Sequence, residues 1–311
     1  MQLGLSIACY RWQLYPNLLR SRPEYIGAGH PTLYFSSVPE AMSVERGGLE
    51  WLIDHCAQLG LSCLHMFSDR MSDAAYARSI SNLAERNRIE LILAAGLNWV
   101  SGGTQAEHER AQYLQSLQIA QSLGVKIVNT THSDPARTNH FTKDPSLACQ
   151  IERMIANFSH LARAAEDSGL MITLENHADY RCSEIVQVLR AIESPSLRAN
   201  LDTGNPVNVI EDPVEAARCI APYVMMMHLK DYRFHNYNTI DGTLRVEHAP
   251  IGRGDIDLSE IMRILDHTAR KPEAIRVCVE TVPPLAVDPG MWVAESVKGA
   301  RQIIEPFLTP Q

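Results

Sequence analysis

Short apolar runs alternate with longer amphipathic ones along the whole chain. The apolar runs are LGLSIA (3–8), LSCLHMF (61–67), IELILAAG (89–96), VKIVNTT (125–131), LMITLE (170–175), LRANLD (197–202), YVMMMH (223–228) and IRVCVE (275–280). They are rich in Val, Ile, Leu and Met, with little strict alternation of apolar and polar positions, which predicts strands buried on both faces as in a parallel sheet. Between them, apolar residues recur three and four apart. LEWLIDHCAQLG (49–60), AEHERAQYLQSLQIAQSLG (106–124) and SLACQIERMIANFSHLARAAEDSG (146–169) each stop at a glycine where a helix C-cap is expected, and a strand candidate follows at once. SEIVQVLRAI, PVEAARCIA, LSEIMRILDHTAR and GMWVAESVKGARQIIEPF continue the pattern. Eight such units in 311 residues predict an α/β fold, a single (β/α)8 TIM barrel covering residues 1–311. A doubly wound open sheet fits less well, because no GxGxxG or GxxxxGK[ST] phosphate loop follows any strand.

Three connections after strands are long: residues 9–46, which include RPEYIGAGHPTLYF, residues 132–144 and residues 229–257. Barrel active sites lie where the strands end, so these loops are expected to cover a pocket. Four consecutive strand candidates end on a polar side chain at that rim: Glu175, Asp202, His228 and Glu280, spaced by 27, 26 and 52 residues. The last interval holds the 229–257 loop. Each residue alone reads as a helix cap, a surface charge or a hydrogen-bonded core histidine. Together they converge on one point, where three carboxylates would repel one another without a cation. One imidazole and three carboxylates form a hard, mainly oxygen donor set suited to Mn²⁺, Mg²⁺ or Co²⁺, with Zn²⁺ as an alternative.

Charge and cysteine usage narrow the function classes. The net charge is −8 and the pI about 5.8, which disfavours nucleic acid as a partner. No 18-residue apolar run exists, so no membrane span is expected, and the N-terminus lacks the basic segment of a signal peptide. The seven scattered cysteines contain no CxxC pair, the pattern of reduced, mostly buried thiols in a cytoplasmic protein.

LENH (174–177), NLDTGN (200–205), MHLKD (227–231), IGRGDIDL (251–258) and VCVET (277–281) resemble, in order and over nearly the whole chain, the divalent-metal sugar isomerases and epimerases with a xylose-isomerase-like barrel. The resemblance implies that Glu175, Asp202, His228 and Glu280 hold one metal ion, Mn²⁺ first among the candidates. It implies that Glu175 and Glu280 are the acid/base pair that enolises a keto-sugar. It also implies a small-molecule sugar or keto-sugar substrate and a homo-oligomer, dimer or tetramer. Ketose 3-epimerases of this superfamily usually carry a histidine where this chain has Asn205, and an arginine near the place of Arg233. HLKD instead resembles inosose dehydratases, and a related group cleaves 3-keto-glycosides, sometimes with a small partner subunit. The alternative function is therefore a lyase that removes water or an aglycone with the same metal site. Two less favoured readings are a non-catalytic binding barrel, against which the intact glutamate pair argues, and an apurinic-site endonuclease, which would need additional histidines where Asn205 and Asp241-Gly242-Thr243 stand.

Further candidates for substrate contact are His65 and His132 at the ends of strand candidates, His177 beside Glu175, Asn205, Lys230, Arg233 and Arg253. Lys230 could reach a substrate oxygen or pair with Asp231. Arg253 could read an anionic group or pair with Asp255 or Asp257. Trp12, Tyr34 and Phe35 are candidates for stacking on a sugar ring.

Overall fold

The computed structural model describes residues 1–14, 47–68, 71–236, 244–284 and 287–307. Most of the 9–46 connection, including Tyr34 and Phe35, lies outside the described residues, as do the side chain of Trp12 and the tip of the 229–257 loop.

All eight predicted strands are present and parallel: β1 (Gln2–Ser6), β2 (Cys63–Phe67), β3 (Glu90–Leu97), β4 (Ile127–His132), β5 (Met171–Glu175), β6 (Leu197–Asp202), β7 (Val224–Leu229) and, after a hairpin described below, β10 (Arg276–Val279). They close into a barrel in the order β1, β10, β7, β6, β5, β4, β3, β2. β1 stops two residues short of the expected run. The Ser6 hydroxyl accepts the N–H of Ala8 at 3.3 Å and starts a 3₁₀ turn over Ile7–Tyr10. Helices follow the strands on the outside, among them Gly48–Gln58, Ala74–Arg86, Gly103–Ser122 and Leu147–Asp167. Gly60, Gly124 and Gly169 have φ of 63°, 70° and 64°, the left-handed conformation that ends a helix without a Cβ penalty.

The barrel interior is built in steps of two residues, because every second side chain of a strand points inward. Cys63, Ile92, Ile127, Met226 and Cys278 form a buried apolar cluster separate from the larger core beneath the helices. A Cβ on Gly4 would lie 2.2 Å from Cys63 Sγ, so this crowded layer requires glycine on β1. Two residues further along the same strands stand Ser6, His65, Asn129, His228 and Glu280.

The 229–257 connection is not simply a loop. β8 (Asp231–Asn236) and β9 (Leu244–Ala249) pair antiparallel as a separate two-stranded sheet beside the rim. Asp231 ties its base to the barrel by accepting the N–H groups of Gly252 and Gly254, each at 2.9 Å, and of Ile256 at 3.4 Å.

Candidate metal centre

The inward positions of β5, β6 and β7, and the first residue past β10, bring Glu175, Asp202, His228 and Glu280 together. One ligand atom from each lies within 4.8 Å of the others, and all four side chains are buried. His228 Nδ1 is 3.3 Å from Glu175 Oε2, 3.3 Å from Glu280 Oε2 and 3.9 Å from Asp202 Oδ2. Ligands about 2.1 Å from one ion stand about 3 Å apart when adjacent and about 4.2 Å apart when opposite, so these spacings fit a single divalent ion. A β-bulge between Ala199 and Asn200 sets the register of β6 on β7, so that Asp202 pairs with His228.

Each ligand is held by neighbours on other strands. Asn129 and Asn200 donate to Glu175 Oε2 at 2.9 and 3.3 Å, and Asn205 donates to Oε1 at 3.4 Å. Asp202 Oδ1 accepts the backbone N–H groups of Gly204 and Asn205 at 2.9 and 3.0 Å. Asn176 joins β5 to β6, donating to Asp202 O at 3.0 Å and accepting the Asp202 N–H at 2.6 Å. Ser6 donates to Glu280 Oε2 at 2.7 Å. Lys230 Nζ donates to Asp202 Oδ2 at 2.6 Å and lies 2.9 Å from Glu280 Oε1.

Three carboxylates here share two cationic groups. Burial resists ionisation of Glu175, but the charge on His228 and its hydrogen bond together outweigh it and hold the carboxyl at about 2. Glu280 is likewise held well below the usual range, burial being outweighed by His228 and Lys230. Burial disfavours the imidazolium of His228, yet Glu280 and Glu175 raise it to about 9. The shortfall falls on Asp202, pushed up by burial that Lys230 offsets only in part, with Glu175 and Glu280 adding to the rise. A buried cluster with more negative than positive partners has the donor set and the charge deficit that a divalent cation corrects.

The remaining candidates divide. His65 lies in the centre: its Nδ1 is 3.1 Å from His228 Nε2, and burial followed by the charge on His228 pushes it down to about 3, keeping it neutral. Its Nε2 is buried without a hydrogen-bond partner among the described residues. Asn205 and Lys230 also face the cluster; Lys230 pairs with Asp202 and Glu280 rather than with Asp231. His177 sits at the edge, its side chain 41% exposed and 3.0 Å from Asp179 Oδ2.

Three candidates are engaged with partners outside the cluster. His132 is three residues from the inward-facing Asn129 and so has the opposite parity. Its Nδ1 accepts the Trp99 N–H at 3.1 Å, its Nε2 faces Thr138 O at 3.1 Å, and its ring packs between Trp99 and Tyr180. Both ring nitrogens are used in fastening the loop. Arg233, on the hairpin, is exposed and donates to Arg253 O. Arg253 is also exposed and pairs with Glu295 at 3.1 Å, not with Asp255 or Asp257. Ser6, Asn129, Asn176 and Asn200 support the ligands without having been singled out in the sequence. Their signal was a lone polar residue inside or just after an apolar run.

A family described as xylose isomerase-like TIM barrel matches residues 53–303. The chain belongs to that family. Among curated relatives, the uncharacterized protein YihM of Escherichia coli K12 is 34% identical over 79 residues, 25% of this chain and 24% of its own. The 3-oxo-isoapionate decarboxylase of Pectobacterium atrosepticum is 24% identical over 187 residues, 60% of this chain and 62% of its own. The matched stretches thus span about a quarter and about three-fifths of those relatives' lengths. Two solved structures of the same fold are an IolI protein with a bound zinc atom (TM-score 0.68, 12% identity, all of both chains) and an L-ribulose 3-epimerase (TM-score 0.67, 14% identity, 98% and 95% of the chains). Among the described residues, no helix is long and apolar enough to cross a membrane.

Proposed function

We propose that this family member is a divalent-metal enzyme that enolises a keto-sugar, acting as an isomerase or epimerase. The convergence of Glu175, Asp202, His228 and Glu280 on one buried point supports this reading above any other observation. These four residues would hold the ion, Mn²⁺ first and Mg²⁺, Co²⁺ or Zn²⁺ as alternatives. When bound, the ion supplies Lewis-acid polarisation of a substrate carbonyl. Glu175 and Glu280 each stand 3.3 Å from His228 and are held ionised by their neighbours, ready to accept a proton. One removes the proton on the carbon beside the carbonyl. The other, once it has taken up a proton from water or a substrate hydroxyl, returns it to the opposite face of that carbon, giving an epimer, or to the adjacent carbon, giving the aldose–ketose isomer. Ser6 and the Asn129–Asn200 pair fix the carboxylates so that little reorganisation is needed at the moment of transfer.

A second reading has support from the decarboxylase relative. Loss of carbon dioxide from a 3-oxo acid, like loss of water or an aglycone from a keto-sugar, passes through the same enolate, and only the group that leaves differs. The test is proton exchange in D₂O with Mn²⁺, removed by a chelator before NMR, across ketoses, keto-glycosides, inososes and 3-oxo sugar acids. Deuterium beside the carbonyl together with an accumulating epimer or isomer supports the first reading. Release of carbon dioxide, water or an aglycone moves the protein to the second. No exchange with any compound, from a protein that retains no metal, refutes both.

A further inference from the structure

Lys230 is built into the ligand cluster itself. Its backbone is clamped by Thr203, whose hydroxyl accepts the Lys230 N–H at 2.8 Å and donates to the Lys230 carbonyl at 2.6 Å. Its stem lies against Gly204, where an added Cβ would stand 3.0 Å from Lys230 Cβ and 2.7 Å from the Tyr232 ring. Only a glycine leaves room for that path. The ammonium ends on Asp202 Oδ2 at 2.6 Å and Glu280 Oε1 at 2.9 Å. The other oxygen of Asp202 already accepts two backbone N–H groups. Oδ2 is therefore the oxygen Asp202 has left to offer an ion, and Lys230 holds it.

From this we infer that Lys230 is an internal counter-cation: it holds Asp202 and Glu280 together without metal, and it competes with the incoming ion for Asp202. The inference rests on the metal reading above but assigns Lys230 a role distinct from substrate contact. A divalent ion neutralises two of the three carboxylates, and Lys230 balances the third, so the chain gives up metal affinity in exchange for a cluster that is folded before loading.

The test uses Lys230→Met, which keeps the stem and removes the charge, with Lys230→Gln as a second variant should Met fail to fold. Chelator-stripped protein is titrated with Mn²⁺ by calorimetry, and thermal unfolding is followed with excess chelator and with saturating Mn²⁺. Removing a positive charge a few ångströms from the ion should tighten Mn²⁺ binding about tenfold or more. The variant should unfold at a lower temperature than wild type in chelator and recover most of that loss in Mn²⁺. Unchanged or weaker Mn²⁺ binding, or an equal loss of thermal stability in both conditions, overturns the inference. Wild type that binds no Mn²⁺ overturns the metal reading itself, a result distinct from wild type that binds while the variant gains nothing.

Discussion

Two layers of the barrel interior, one step of two residues apart, obey opposite rules. The lower layer is dry: Cys63, Ile92, Ile127, Met226 and Cys278 pack on one another and offer nothing that needs a partner except thiols. The upper layer is almost wholly polar, with Ser6, His65, Asn129, Glu175, Asp202, His228 and Glu280 all buried. Position in the sheet therefore does not separate core from site, since both are equally enclosed. The difference is whether each buried polar atom has a partner. In the upper layer nearly every one does, supplied from the next strand, so the wall of the barrel is also the scaffold of the site.

The comparison is broken most severely from above. Glu280→Gln keeps the size of the side chain and its place beside Ser6 but cannot take a proton, so turnover should fall by about 10²–10⁴-fold in the D₂O assay. Mn²⁺ affinity should weaken as well, because a ligand carboxylate loses its charge, so turnover is compared at saturating Mn²⁺, and unchanged turnover there would remove Glu280 from the acid/base role. From below, Met226→Ala opens a cavity in a layer that cannot easily collapse and should cost about 2–5 kcal/mol in urea unfolding. Mn²⁺ affinity in the folded fraction should hold. A large loss of affinity with little loss of stability would show that the two layers are not independent.

A smaller effect is expected at their boundary. Asn129→Ala strips partners from Glu175, from Thr173 and from Asn200 at once. It should cost about 1–3 kcal/mol. Double-variant cycles with Thr173→Val would show whether that cost belongs to the Asn129–Thr173 bond or to Glu175.

The smallest effect is a pH dependence outside both layers. Burial lowers His132, and burial followed by the charge on Lys230 lowers His248 to about 4. Both are neutral in the folded protein, and the unfolded chain binds their protons first. Their contribution to stability is full above the ordinary histidine value of about 6.5 and declines as the pH falls toward 4. The urea midpoint measured from pH 7.5 to 5 should drop on the acid side, and His132→Asn should flatten part of that slope.

The barrel and the meeting of Glu175, Asp202, His228 and Glu280 were legible because both rest on repetition. Eight apolar runs alternate with amphipathic segments, three of which stop at glycine, and four runs in succession end on a carboxylate or an imidazole. What the sequence hid was parity within a run. Asn129 and His132 both sit on β4, but one faces the axis and the other the loops around Trp99 and Tyr180, and IVNTTH carries polar residues on both faces, so no alternation tells them apart. The hairpin was hidden for a different reason. DYRFHN and LRVEHA mix polar and charged residues; β9 is largely exposed and β8 turns only Tyr232 and Phe234 toward the core, too few apolar positions to mark either as a strand.

Asp231 gives that hairpin a further meaning. Its carboxylate receives Gly252, Gly254 and Ile256 directly after Lys230, and a Cβ on Gly254 would stand 2.1 Å from Asp231 Oδ1, so the junction admits no side chain there. The chain leaves the barrel and returns to it through one rivet. Tyr232 lies buried at Gly204 beside that rivet and belongs to it. The hairpin is thus hung from a fixed post, and changes beyond Tyr232 should leave His228 and Lys230 in place.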